Sequence, residues 1–291
     1  MKKLISLFLS VSVLLLAACS KQPDTASSEQ KNDAAGLQTV VIASTGSDAD
    51  IWRHIASLPE TKAAGIKLEV KNFTDYVAMN TAVANKEVDL NAFQSYAYLV
   101  AFNAANKDKI APVSTTYLEP MGIYSNKVKK VEEFAQGATI AIPNDGANES
   151  RALLLLQSAG LIKLKPDFDP VKGTPADIIE NSKKIVIKPI QMATAVRVKD
   201  EVDAILLGNT LAMEGGLNVL KDAIYYEPID QSTKLNVNIL ATAESRKDDP
   251  VLQKVGALYH TEAVKKYVQE HFAGTKVDVN KPISYLTEAN P

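Results

Sequence analysis

The sequence predicts an α/β fold of two lobes with a hinged cleft between them, and three observations predict it. Strand-like and helix-like segments alternate from residue 38 onward, the alternation restarts after Tyr124, and a β-branched segment at Val237 returns late in the chain. Alternation of this kind packs helices on a largely parallel sheet. One lobe is therefore assigned residues 37–124 and 236–291, and the other residues 125–235. Two chain crossings between them give a hinge, and clefts at such junctions are where small ligands bind.

The elements follow in order. Met1-Lys2-Lys3 is a basic start, and residues 4–16 form an apolar stretch broken only by serines. That stretch is too short for a bilayer-spanning helix of about 20 residues and suits a signal-peptide core. Leu16-Ala17-Ala18-Cys19 resembles the bacterial lipobox, so residues 1–18 are read as a lipoprotein signal peptide. The Cys19 sulfur is then expected to carry diacylglycerol and the new N-terminus a further acyl chain such as palmitate. Residues 19–36 are polar and contain Pro and Gly, which predicts a flexible tether.

Gln38-Thr39-Val40-Val41-Ile42-Ala43 reads as a strand, followed by a turn and a helix carrying Trp52, Ile55 and Leu58, with Asp48 or Asp50 as its N-cap. Residues 66–70 alternate as a second strand, residues 76–84 read as a helix, 88–90 as a short strand and 97–105 as a helix. Residues 113–117 and 121–124 are extended. The restart gives a short helix at 131–134, a strand at 138–142 and a leucine-rich helix at 148–159. Strands at 185–187 and 204–207 flank a helix around 192–198. Further strands lie at 224–226 and 237–241, and the last long helices fall within 250–272.

Composition limits the chemistry. Cys19 is the only cysteine, which excludes disulfides and thiol-ligated metal in the folded part. A formal net charge of −2 lacks the basic face that nucleic acid requires. No G-x-S-x-G, G-x-G-x-x-G, Walker A or H-E-x-x-H motif occurs. His54, His260 and His271 lack metal-ligand spacing, and Asp145 and Glu149 are what a helix start prefers anyway. No cofactor, metal site or catalytic residue is expected.

Three constellations point to ligand binding. Asn148-Glu149-Ser150-Arg151 opens a helix, and an arginine in a first turn makes sense where it meets an anion that also faces free N–H groups. Phe73, Tyr76, Phe93, Tyr96 and Tyr98 supply apolar rings with polar tips, although core packing explains most such sets. Asn209 and Asn238 stand beside strand-like segments, where amides bind zwitterions or cap turns.

Several blocks together resemble the methionine-binding lipoprotein family. They are Phe73-Thr74-Asp75-Tyr76, Asn91-Ala92-Phe93-Gln94, Glu119-Pro120-Met121-Gly122-Ile123-Tyr124-Ser125 and residues 137–145, continuing through Arg151-Ala152-Leu153-Leu154-Leu155-Leu156 and residues 159–164. The likeness spans residues 40–272. It implies a type II-like periplasmic-binding-protein fold and a receptor that is not an enzyme. Such a receptor delivers a small amino-acid-like ligand to an ABC permease in the inner membrane. Its lipid anchor would hold it in the cell envelope, facing the periplasm or the exterior.

Position by position, the resemblance implies that Arg151 pairs with the ligand carboxylate, Asn238 holds the zwitterion, and Tyr76 and Tyr98 close around the side chain. Two pocket positions depart from the family pattern. Ser95 stands where a histidine is common, and Gly208 where an asparagine is. Asn209 comes one residue later, and on a strand it would face the other way. Thr194 also replaces a frequent glutamine. The ligand is accordingly expected to be methionine, or a relative such as a dipeptide or methionine derivative. An envelope lipoprotein with a vestigial cleft is the remaining alternative.

Overall fold

In the computed structural model, residues 36–288 are described. The signal-peptide reading, the Cys19 lipobox and nearly all of the tether fall outside them. The chain begins with β1 (Gln38–Ser44), α1 (Gly46–Ser57), α2 (Pro59–Ala63) and β2 (Ile66–Asn72). It continues with α3 (Tyr76–Ala84), β3 (Leu90–Ser95), α4 (Tyr96–Ala105), β4 (Ile110–Thr115) and β5 (Tyr117–Leu118). Next come β6 (Met121–Tyr124), β7 (Thr139–Pro143), α5 (Gly146–Ser158), β8 (Lys163–Leu164), β9 (Ile178–Glu180) and β10 (Val186–Ile190). They lead to β11 (Ala204–Gly208), α6 (Asn209–Glu214), α7 (Val219–Asp222) and β12 (Tyr225–Tyr226). The last elements are β13 (Asn238–Ala243), α8 (Pro250–Tyr259), α9 (Glu262–Phe272), β14 (Val277–Asp278) and α10 (Ser284–Thr287).

Two five-stranded sheets organise the chain, ordered β2-β1-β3-β13-β4 and β10-β7-β11-β6-β12. Their central strands, β1, β3 and β13 in one and β7, β11 and β6 in the other, are buried on both faces, which is why these read as near-continuous apolar runs. In β1, Val40 and Ile42 pack with Trp52 and Ile55 of α1 and Val255 of α8. Ala43, on the opposite face, packs with Met79 of α3 and Leu99 and Phe102 of α4. Period-two alternation thus serves two helical layers. In the second sheet, Ile140 and Ile142 meet Leu153 and Leu156 of α5, while Ala141, Ile205 and Leu207 meet Ala212 of α6 and Val219 of α7.

The structure corrects four expectations. Met121–Tyr124, placed by the sequence in the 37–124 lobe, pairs antiparallel with β11 (Ile123↔Leu206) and β12 (Ile123↔Tyr225) in the second sheet. The chain therefore crosses before it, around Pro120, whose missing N–H ends any ladder. A continuous apolar run shows that both faces of a strand are buried, not which sheet it joins. The sheets are also mixed rather than largely parallel. β13 runs antiparallel to β3 and β4, and β6 antiparallel to β11 and β12, because both strands enter from the other lobe. The strand expected at 88–90 instead occupies Leu90–Ser95. Finally, Thr45 is the N-cap position of α1, so Asp48 lies inside the helix, where it is buried.

Candidate ligand-binding site

The carboxyl ends of β3 and β11 face each other across the gap between the sheets. Crevices beyond strand carboxyl ends are where open α/β sheets bind ligands. One cavity there, about 520 Å³ counted out through its open mouth, is lined by six of the seven expected residues: Tyr76, Ser95, Tyr98, Arg151, Gly208 and Asn238. Asn209 is the exception. It starts α6 instead of ending a strand, and it is fully buried, with its amide nitrogen 3.1 Å from both Glu119 Oε2 and Thr275 Oγ1. The helix begins one residue earlier than the strand reading allowed, which turns this side chain into the lobe junction.

The first lobe supplies an aromatic wall. Tyr76 lies 5.0 Å from Phe93 and 6.3 Å from Tyr98 by ring centroids, and Phe93 lies 5.7 Å from Tyr98 in an edge-on arrangement. Burial pushes both tyrosine hydroxyls well above their ordinary range, so they face the cavity as neutral phenols. Behind this wall, Gln94 exchanges buried hydrogen bonds with Asn80 and Asn91 at 2.7–3.0 Å. A satisfied amide network of this kind fixes the strand that carries Phe93 and Ser95.

Arg151 is buried, and most of its fork is already engaged. Nε donates to Glu227 Oε1 at 2.9 Å, and Nη2 donates to Glu227 Oε2 at 2.6 Å and to the Glu119 carbonyl at 2.8 Å. Glu227 Oε2 also accepts the Met121 N–H. These contacts leave Nη1 for a ligand. The expected first-turn placement is corrected: α5 starts at Gly146 and is capped by Asp145, which accepts the Asn148 N–H at 3.1 Å. Arg151 therefore sits in the second turn, and its anchor is Glu227 rather than the helix end.

Ser95 and Gly208 hold parallel positions. Ser95 is the N-cap of α4 and accepts the Tyr98 N–H at 3.2 Å. Gly208 is the N-cap of α6, with φ −64° and ψ 150°, a conformation open to any residue. The nearest neighbour to a side chain added there is Met192 Cε at 3.9 Å, leaving open room toward the cavity.

Sequence reasoning missed the charges behind the cavity. Lys276, fully buried, contacts Asp48 Oδ1 at 2.9 Å, Glu119 Oε2 at 2.5 Å and Thr210 Oγ1 at 2.8 Å, with its ammonium 4.0 Å from the Tyr117 ring centre. Tyr117 donates to Asp48 at 2.7 Å. Burial pushes the Asp48 carboxyl up, with Glu119 adding to the rise and Lys276 opposing it. At Glu119 burial is outweighed by Lys276 and its hydrogen bond, which hold that carboxyl below the usual range. The one available signal was a charged residue, Glu119, inside an otherwise apolar run. The histidines stand elsewhere: Tyr267 stacks between His54 and His271, and His260 bonds Asp278 and the Thr115 carbonyl. Among the described residues no cluster of three or more His, Cys, Asp or Glu is placed to hold a metal.

A family profile described as NlpA lipoprotein matches residues 40–280. The chain belongs to the NlpA lipoprotein family. It is 34% identical over 272 residues to the "Probable D-methionine-binding lipoprotein MetQ" of Pasteurella multocida, covering 94% of this chain and 96% of that protein. It is 37% identical over 275 residues to "Outer membrane lipoprotein 2" of Mannheimia haemolytica, covering 94% and 97%. Among solved structures, a nutrient binding protein from Burkholderia cenocepacia bound to methionine aligns with TM-score 0.76 and 34% identity, over 82% of this chain and 99% of that one. The substrate binding protein of a methionine transporter from Streptococcus pneumoniae aligns with TM-score 0.75 and 38% identity, over 83% and 95%. The chain thus shares the two-lobed binding-protein fold with these solved structures.

Proposed function

We propose that this NlpA-family protein is the extracytoplasmic receptor of an ABC importer and binds methionine, or a close relative, between its lobes. The observation that carries this reading is the cavity itself, which sets three aromatic rings opposite a buried guanidinium. An unbranched thioether packs well against ring faces and edges. An α-carboxylate would meet Arg151 Nη1, and the zwitterion would bond Asn238. The ligand favours the closed arrangement because only there do both lobes touch it, and a permease then reads the closed form. Mass spectrometry of ligand retained through native purification, followed by calorimetry with L- and D-methionine, tests the reading. One saturable site per chain is expected. Absence of binding by any amino acid or dipeptide would sink it.

A second reading concerns ligand size, and the small side chains at 95 and 208 favour it. With a hydroxymethyl group and no side chain where the resemblance implies an imidazole and an amide, the cavity has room for a larger ligand or for bridging water. Methionine should then bind more weakly than a dipeptide or oxidised methionine bearing the same carboxylate. Ser95→His combined with Gly208→Asn should shift preference back toward methionine. The Gly208 change is sterically free and places a good N-capping residue on α6, whereas the Ser95 change removes a cap at a cost of about 0.5–2 kcal/mol. Nanomolar methionine binding by the wild type, with no gain in the double variant, would refute the enlarged cavity.

Membrane attachment is assigned to Cys19. No helix among the described residues is long and apolar enough to cross a membrane. Cys19→Ala should move the protein from the membrane to the soluble fraction and abolish globomycin-sensitive processing. Retention of the variant on membranes after a high-salt wash would show that something else anchors it.

A further inference from the structure

Helix α1 of the first lobe starts without a cap of its own. Thr45 has the extended backbone of an N-cap, φ −142° and ψ 154°, yet its side chain accepts no capping hydrogen bond. The first N–H groups of a helix are orphan donors at the positive end of its dipole. Here a charge comes from the second lobe: the carboxylate of Glu214, the last residue of α6, closes on the first residues of α1. A Cβ built on Gly46 would fall 1.5 Å from Glu214 Oε1, so the carboxylate fills the space a side chain at 46 would need. Gly46 also has φ +45°, in the left-handed region that favours glycine. The backbone angle is what favours glycine at 46, since a carboxylate at the end of a flexible side chain could move aside.

We infer that Glu214 is an interlobe latch: by setting its carboxylate at the positive start of α1 from across the cleft, it biases the two lobes toward the closed arrangement before any ligand arrives. The contact stands at the right place for this. Glu214 borders a neighbouring space, about 830 Å³ counted in the same way, that shares Tyr76, Tyr98, Met192 and Leu211 with the ligand cavity. At the other end of α6, Thr210 Oγ1 lies 3.1 Å from Glu119 and 3.4 Å from Asp48. Helix α6 thus touches the first lobe at both its ends. The Glu214 carboxylate faces Asp48 and Glu119, which repel it, and Lys276, which attracts it. It is also open to solvent. Opposed and exposed in this way, the latch is weak, as it must be if a ligand is to enter.

The test compares wild type with Glu214→Ala and Glu214→Gln. In its first arm, spin labels are placed at Lys71→Cys and Asp167→Cys in protein carrying Cys19→Ala, and the label separation is measured without ligand. This arm is independent of the methionine reading. The alanine variant should shift the distribution to longer separations, and the glutamine variant, which keeps an acceptor but loses the charge, should fall between. In the second arm, methionine dissociation should be about two- to fivefold faster in the alanine variant, the size expected for one charge at a helix end. A lower melting temperature with unchanged label separation would reduce Glu214 to a helix cap and overturn the latch. Unchanged separation together with unchanged dissociation would overturn it as well.

Discussion

Arg151→Ala should lower ligand affinity at least about tenfold and should also cost the folded protein roughly 3–5 kcal/mol. The first effect follows from losing a charge-assisted contact to a desolvated carboxylate, which contributes about 1.5–3 kcal/mol and more when truncation strands the partner. The second follows from Glu227. Its carboxylate is buried against the guanidinium, 2.6 Å from Nη2, and would be left without a counter-charge, the situation in which breaking a buried pair is most expensive. The two effects separate in a second variant. Arg151→Met with Glu227→Gln removes both charges, so most of the stability should return while binding stays lost. Calorimetry and urea denaturation on the same preparations measure them. Unchanged affinity in Arg151→Ala would take this residue out of the cleft chemistry altogether.

Lys276→Met should destabilise the protein by several kcal/mol at neutral pH, because it leaves Asp48 and Glu119 facing each other in a buried site. Two adjacent carboxylates cannot both ionise cheaply, so both folded-state values would be raised. Stability tied to a raised carboxyl is present below its unfolded value and is lost as pH rises through the folded one. At Glu119 the wild type should depend on pH in the opposite sense: against the upward push of burial, Lys276 holds the carboxyl below its ordinary range, which contributes stability that is lost on acidification. The two stability curves should therefore converge toward about pH 4 and diverge toward pH 7. Denaturant midpoints across that range provide the check. A deficit that stays constant with pH would mean the penalty is packing and not charge.

The aromatic wall and Arg151 were legible in the sequence because they sit in contiguous blocks. Phe73 to Tyr76 leads into α3, Asn91 to Gln94 lies within β3, and Arg151 stands in the second turn of α5, each inside a short stretch of neighbours. Ser95 and Gly208 were also legible, as departures in side-chain volume. What the two residues do beyond this, capping α4 and standing at the N-cap of α6, required backbone angles that residue type alone leaves open. Asn209 shows the limit most clearly. A one-residue shift between strand end and helix start sent its side chain into the lobe junction and out of the cleft.

The amino-acid order by itself determined the alternating elements and the apolar faces of α1 and α5. Each depends on neighbours a few positions apart, and periods of 2 and 3.6 record such neighbours directly. Tertiary structure alone decided the membership of Met121–Tyr124 in the second sheet, the pairing of Lys276 with Asp48 and Glu119, and the reach of Glu214 to α1. These contacts join residues far apart in the chain. A single charged side chain at a buried position leaves no periodic trace, and its partner is set by how the lobes come together.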